Sequence, residues 1–227
     1  MNDNIPLVSC IMPTTDREKF IPLAISYFLR QDYANKELII IDDGKYPIEV
    51  LIPACPQINY IRLLQKNTIG AKRNHACQIA NGEFIIHLDD DDWYAPDWIS
   101  KQMNILQRGI DICGLSQLFF YNPALDKVWK YVYPDTALHW VAGATMAYRK
   151  SFWLQYPFKN VQVGEDNTFV WNTNAKVAKT DYLNGFVSIL HSNNTSPKYT
   201  ADSRWKPHPI AGISSILKDD IINYKSI

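Results

Sequence analysis

The chain reads as an α/β protein with a mostly parallel central sheet flanked by helices and a smaller mixed portion after it. Three observations predict this. Short apolar runs at residues 7–12, 37–41, 58–64 and 84–88 have the length and continuity of strands buried on both faces. Helical or helix-length stretches separate most of these runs by short connectors, which requires right-handed crossovers between parallel strands. Past residue 115 the texture changes to paired strand-like segments.

Residues 7–12 form the first expected strand, stopped by Pro13-Thr14-Thr15-Asp16. Over about 20–31, Phe20, Leu23, Ala24, Tyr27 and Phe28 recur at helical spacing. Glu37-Leu38-Ile39-Ile40-Ile41 is a second buried strand ended by Asp42-Asp43-Gly44. Residues 48–57, with Pro53 and Pro56, predict a short helix and loop, 58–64 a third strand, and 70–80 a full helix that Asn81-Gly82 closes. After the fourth strand, Pro96 suits the first turn of a further helix and Gly109 its end. Residues 112–121 and 128–133 flank Asn122-Pro123-Ala124-Leu125-Asp126 as a hairpin-like pair. A strand-like run follows at 140–148, a helix at 166–174, a short strand at 186–190 and a helix at 213–222. No repeat or low-complexity segment interrupts the chain.

With 227 residues, 47% of them hydrophobic and 20% charged, the chain can bury a real core. Zero formal net charge argues against a general nucleic-acid or membrane-surface binder. No leader pattern opens the sequence and no apolar run approaches membrane-spanning length, so the expectation is a cytoplasmic protein, with peripheral membrane attachment left open. Cys10, Cys55, Cys77 and Cys113 show no C-x-x-C pairing and read as reduced thiols.

The chemistry concentrates where Phe84-Ile85-Ile86-His87-Leu88 runs into Asp89-Asp90-Asp91-Asp92. Four consecutive carboxylates repel one another, and a divalent cation is the usual compensation. Strand alternation would send Asp89 and Asp91 to one side, a suitable arrangement for one metal ion and a phosphate-bearing ligand. The plain alternative is an acidic loop capping the next helix. In an open parallel sheet, ligands bind beyond the carboxyl ends of the strands. Thr14, Thr15 and Asp16, then Asp42 and Asp43, then Asp89 to Asp92 all fall on such ends. No G-x-G-x-x-G follows the first strand and no P-loop motif occurs, which disfavours a dinucleotide fold and a P-loop NTPase.

Together, Val8-Ser9-Cys10-Ile11-Met12-Pro13-Thr14, Leu38-Ile39-Ile40-Ile41-Asp42-Asp43-Gly44, Gly70-Ala71-Lys72-Arg73-Asn74 and Asp89-Asp90-Asp91-Asp92 resemble glycosyltransferase family 2. Gly164-Glu165-Asp166 resembles that family's E-D motif, and His191-Ser192-Asn193-Asn194-Thr195-Ser196 its C-terminal His loop. The resemblance implies a GT-A fold over 1–198, with a nucleotide-sugar half at 5–115, an acceptor and catalytic-base half at 116–198, and a tail at 199–227. It implies an inverting transferase moving a sugar from a nucleoside diphosphate, a UDP-sugar first in expectation, to a glycan or glycoconjugate hydroxyl.

The resemblance also implies residue roles. Pro13, Thr14, Asp16, Asp42 and Asp43 would hold the nucleotide, and Arg73 would sit over it or its phosphates. In the D-x-D motif, Asp91 would bind Mn²⁺ or Mg²⁺ and Asp89 would reach the ribose or the metal's waters. Asp92 would approach the donor sugar or cap the helix that Pro96 opens, and Asp90 is grouped with it on the nucleotide-sugar side. His191 would be a second metal or phosphate ligand, and imidazole on a hard cation suits Mn²⁺ better than Mg²⁺. Asp166 would be the base that takes the acceptor proton, with Trp140, Gly143 and Glu165 on the acceptor side. A nucleotidyltransferase is the first rival, but Pro13-Thr14-Thr15-Asp16-Arg17 lacks its Gly-rich loop. A non-catalytic sugar-nucleotide binder would need neither Asp166 nor His191, and a phosphohydrolase leaves the E-D and His motifs unexplained.

Overall fold

A computed structural model describes residues 5–134, 138–171, 174–196 and 198–225. Strand β1 (Val8–Thr14), helix α1 (Ile21–Leu29), β2 (Lys36–Asp42), β3 (Ile58–Arg62), α2 (Ile69–Ile79) and β4 (Phe84–His87) follow one another as the apolar runs require. After them come β5 (Trp93–Tyr94), α3 (Trp98–Leu106), β6 (Ile112–Leu115), β7 (Gln117–Asn122), β8 (Lys127–Val132), β9 (Ala147–Arg149), α4 (Lys150–Gln155) and α5 (Glu165–Trp171). The chain ends through β10 (Val177–Thr180), β11 (Phe186–Ile189), β12 (Trp205–His208), α6 (Ile210–Leu217) and α7 (Ile221–Tyr224).

The central sheet has the order β10-β6-β9-β4-β1-β2-β3. Its strands run parallel except β9, which pairs antiparallel with both β4 and β6. Successive side chains of β1, β2 and β4 point to opposite faces, and both faces are covered. Cys10, Met12, Leu38, Ile40, Phe84 and Ile86 pack with Ile21, Ile25 and Phe28 of α1 and Trp98 and Ile99 of α3. Ile11, Ile39, Ile41 and Ile85 pack with Ala76 and Cys77 of α2, Phe152 of α4 and Phe169 of α5. Burial on both sides is why these strands are continuous in hydrophobicity rather than alternating.

The second sheet, ordered β12-β8-β7-β11-β5, closes over the carboxyl-end side through Leu118, Phe120, Phe186 and Trp205, which join the first core. Its outer face is covered by Ile213 and Leu217 of α6 and Tyr224 of α7.

Residues 48–57 hold the expected short helix and loop, the helix being the 3₁₀ turn Glu49–Leu51, kept short because Pro53 and Pro56 lack the N–H groups a longer helix needs. Three expectations need correction. Residues 112–121 are not one strand: they pass from the central sheet to the second one at Ser116. Residues 140–148 give only the start of β9, preceded by the 3₁₀ turn Gly143–Thr145. There the Thr145 hydroxyl donates to the Ala142 carbonyl at 2.8 Å and accepts the Leu115 N–H at 2.9 Å, so local side-chain bonds replace a ladder. The last helix starts earlier, at Ile210, and is interrupted at Lys218, whose φ is +52°. Residues 172 and 173 of the expected 166–174 helix lie outside the described residues. All four cysteines are free, three of them buried; burial pushes the Cys10 and Cys77 thiols up to about 12.

Candidate active site

The carboxyl ends of β1 and β4 and the loop after β11 meet around a cavity of about 290 Å³. Pro13, Thr14, Arg17, Lys72, Arg73, Asp89 to Asp92, Trp140, Gly143, Glu165, Asp166 and Asn194 are all on its wall. β4 stops at His87, residues 88–89 are irregular and the chain turns at 90–92. Strand alternation therefore does not govern the acid run, and the four carboxylates fan out to different partners.

Asp89 faces α2 and meets Arg73 at 3.4 Å. Asp90 accepts Arg17 Nη1 at 2.6 Å. Asp91 Oδ2 takes three groups at once: Arg17 at 2.8 Å, His191 Nε2 at 3.0 Å and Asn194 Nδ2 at 3.3 Å. Asp92 Oδ1 accepts the Ile189 N–H at 2.9 Å, which ties the acid run to β11. Burial raises the Asp89, Asp90 and Asp92 carboxyls above the ordinary carboxylate range, and for Asp92 the charges on Asp91 and Asp89 add to it. Burial also acts on Asp91, but the His191 hydrogen bond and the Arg17 charge outweigh it and hold Asp91 below that range. Asp91 is thus the member of the run kept most firmly ionised.

On the nucleotide side, the residues named from sequence divide. Thr14 is buried and its carbonyl accepts Lys72 Nζ at 2.9 Å. Asp43 binds Lys72 at 2.9 Å, the Thr15 hydroxyl and the Asn67 N–H at 2.7 Å, and these bonds outweigh burial and lower its carboxyl. Asp42 caps the turn before Gly44, accepting the Gly44 N–H at 2.7 Å and the Tyr60 hydroxyl at 2.8 Å. Asp16, in the left-handed region at φ +51°, accepts the Lys45 N–H and meets Lys66 at 3.1 Å. Arg73 is 2% exposed and pairs with Glu165, so it links α2 to the start of α5. Glu165 is raised by burial, with Arg73 acting against it.

On the opposite wall, Asp166 rests against Gly143. A Cβ on Gly143 would fall on Asp166 Oδ2 and lie 3.1 Å from both Asp166 Cβ and Cγ. Gly143 is fixed in turn by His87, which donates from Nδ1 to the Gly143 carbonyl at 2.6 Å. A carbonyl can only accept, so the proton sits on Nδ1. Burial, with Arg73 nearby, keeps His87 well below its usual pKa and neutral. Trp140 donates to Asn167 Oδ1 at 2.9 Å and stacks on Tyr133 at 4.8 Å, forming an aromatic wall beside Asp166.

Asp91 and His191 converge within 3.0 Å of each other, and carboxylate plus imidazole is a donor pair that suits Mn²⁺. Among the described residues no group of three His, Cys, Asp or Glu forms a closed metal cage. Two protein donors fit a cation that takes its remaining ligands from substrate phosphates and water. The sequence reading missed the partly buried Arg17 and the buried Lys72, two cations that neutralise the carboxylates it named. The signal was available: clustered carboxylates beyond strand ends demand nearby positive charge, and these are basic residues beside strand-end motifs.

The model of glycosyl transferase family 2 matches residues 9–169. Over 102 residues the chain is 41% identical to WcaA of Escherichia coli K12, named as a colanic acid biosynthesis glycosyl transferase, covering 43% of this chain and 37% of that protein. Over 105 residues it is 33% identical to an Escherichia coli UDP-Glc:alpha-D-GlcNAc-diphosphoundecaprenol beta-1,3-glucosyltransferase, WfgD, covering 45% and 42%. These matches therefore take in about two fifths of each curated relative's length. The mannosyltransferase PcManGT of Pyrobaculum calidifontis, solved with GDP-Man and Mn²⁺, superposes with a TM-score of 0.62 at 14% identity, over 82% of this chain and 56% of that one. That likeness shows the fold, GT-A. The chain belongs to glycosyl transferase family 2.

Proposed function

We propose that this family 2 chain is a metal-dependent, inverting transferase that moves a sugar from a nucleoside diphosphate to an acceptor hydroxyl in polysaccharide or glycoconjugate assembly. One observation carries the reading: Asp91, which pairs with His191 at 3.0 Å, and a second carboxylate, Asp166, lie on the walls of one cavity. Relatives named for colanic acid synthesis and for UDP-glucose transfer to a diphosphoundecaprenol-linked sugar support the pathway class and favour a UDP-sugar donor. The GDP-Man and Mn²⁺ of the superposed mannosyltransferase keep a GDP-sugar in the test.

Asp91 and His191 would hold Mn²⁺, or Mg²⁺, which when bound supplies Lewis-acid stabilisation of the leaving diphosphate. The chain's own residues do the rest. Thr14 and Lys72 line the nucleotide end of the cavity, with Asp43 behind them on Lys72 at 2.9 Å, and a base N–H donated to Asp43 would replace one of its present donors. Arg73, fixed by Glu165, keeps positive charge near Asp89 and the phosphates. Asp166, pressed against Gly143, accepts the proton of the acceptor hydroxyl as that oxygen attacks the anomeric carbon from the face opposite the diphosphate. Trp140, on the cavity wall and backed by the stacked Tyr133, offers an aromatic face to the C–H surface of an acceptor sugar.

No described helix is long and apolar enough to cross a membrane. Within the proposal the enzyme works in the cytoplasm, with its acceptor free or presented at a membrane surface. The test is release of nucleoside diphosphate from UDP-, GDP- and dTDP-sugars, with Mn²⁺ and with chelator. Release from one donor class that stops with chelator supports the reading; no release from any donor at any acceptor concentration refutes it.

A further inference from the structure

Arg17 is used by none of the roles above, yet it is the most connected side chain of the donor end. Its side chain is 9% exposed and ties its own segment to two others. Nη1 meets Asp90 at 2.6 Å and Asp91 at 2.8 Å. Nη2 donates to the Asn193 carbonyl at 2.9 Å and to Thr195 Oγ1 at 3.2 Å, both in the loop that carries His191. Phe20, one turn further along the same segment, packs its ring on His191 at 4.5 Å. The Phe20 N–H bonds back to the Arg17 carbonyl at 2.9 Å, so the two side chains are presented by one rigid turn.

We propose that Arg17 is the positioning residue of the donor end: its guanidinium stands in for a metal on Asp91 in the free protein and clasps the 191–196 loop so that His191 is paired with Asp91 before donor arrives. The fork of the guanidinium suits this double duty, since it presents several donors in a fixed plane, which an ammonium cannot do. Asp90 and Asp91 both stand against this one guanidinium, which offsets their mutual repulsion. On this account a divalent ion must share Asp91 with a charge already in place. Free metal therefore binds weakly, and the guanidinium is available to a diphosphate once the ion has taken Asp91.

The inference rests on the donor-site reading, and its test separates the two. Wild type, Arg17→Gln and Arg17→Lys are compared without nucleotide, by manganese chloride titration followed by electron paramagnetic resonance and by amide hydrogen exchange over residues 191–196. Arg17→Gln is expected to bind Mn²⁺ at least tenfold more tightly than wild type, because the competing charge is gone, and to exchange loop amides at least tenfold faster. Arg17→Lys is expected to keep wild-type Mn²⁺ affinity, having kept the charge, but to exchange as fast as Arg17→Gln. Unchanged or weaker Mn²⁺ binding in a folded Arg17→Gln overturns the stand-in role, and unchanged exchange in both variants overturns the clasp. Nucleotide binding by wild type, measured apart, decides the donor-site reading by itself.

Discussion

Replacing Gly143 by alanine adds one methyl group where the proposed base has no room to yield in place. The new Cβ would lie 3.1 Å from Asp166 Cβ and Cγ and overlap Oδ2. Non-bonded carbons settle at about 3.5–4.0 Å, so the carboxylate must withdraw by roughly 1 Å. Gly143 is in a 3₁₀ turn with no left-handed φ, so the backbone accepts alanine and the fold should hold. A reacting group misplaced by about 1 Å costs on the order of 100-fold in rate, equivalent to about 2.7 kcal/mol of transition-state stabilisation. Asp91 and His191 are untouched, so nucleotide affinity should not change. The assay is steady-state release of nucleoside diphosphate, with thermal melting and nucleotide titration on the same preparation. A Gly143→Ala protein that turns over within about twofold of wild type would refute the placement of Asp166 at the reacting centre.

Two further outcomes follow from the same geometry. Asp166→Asn should lose about 10²–10⁴-fold in turnover while binding nucleotide normally, since a general base contributes about that much; loss of nucleotide binding instead would make Asp166 a donor-site residue. Asp43→Asn removes one partner of the buried Lys72 pair, which costs about 3 kcal/mol, or roughly 6–12 °C in melting temperature for a chain of this size. Because the Asp43 carboxyl is lowered on folding from 3.8, its contribution is fully present above that value and disappears as pH falls through the folded pKa. The melting difference between wild type and Asp43→Asn should therefore be largest near pH 7 and shrink below about pH 3.8, and a difference that grows on acidification would contradict the pairing.

The parallel half of the fold was legible because Cys10 to Met12, Leu38 to Ile41 and Phe84 to Ile86 are buried on both faces and so carry an unbroken apolar signal. Polar residues then stop each strand at the sheet's carboxyl edge, which is why those ends stand out as a candidate site. The 140–149 segment was not legible. Its conformation depends on Thr145 bonding Ala142 and Leu115 and on Gly143 fitting beneath Asp166, contacts between residues that sequence periodicity does not relate. Ser116, where the chain changes sheets, lies inside a run that looks like one strand. At the site, the carboxylates were visible as motifs, but their cations were not. Arg17 reaches Asp90 across 73 positions and Arg73 reaches Glu165 across 92, and no local pattern pairs them. The acid run is therefore visible in the sequence, while the guanidinium that Arg17 brings to Asp90 and Asp91 is not.

The central claim is that Asp91 anchors a metal-bound nucleoside diphosphate in this cavity. Isothermal titration with UDP, GDP and dTDP, each with and without Mn²⁺, on wild type and Asp91→Asn tests it most directly. The account predicts that one nucleotide binds wild type with Mn²⁺, binds at least about tenfold more weakly without it, and loses the metal enhancement in Asp91→Asn. Equal binding with and without Mn²⁺ in both proteins, or no binding by any of the three nucleotides, would contradict it.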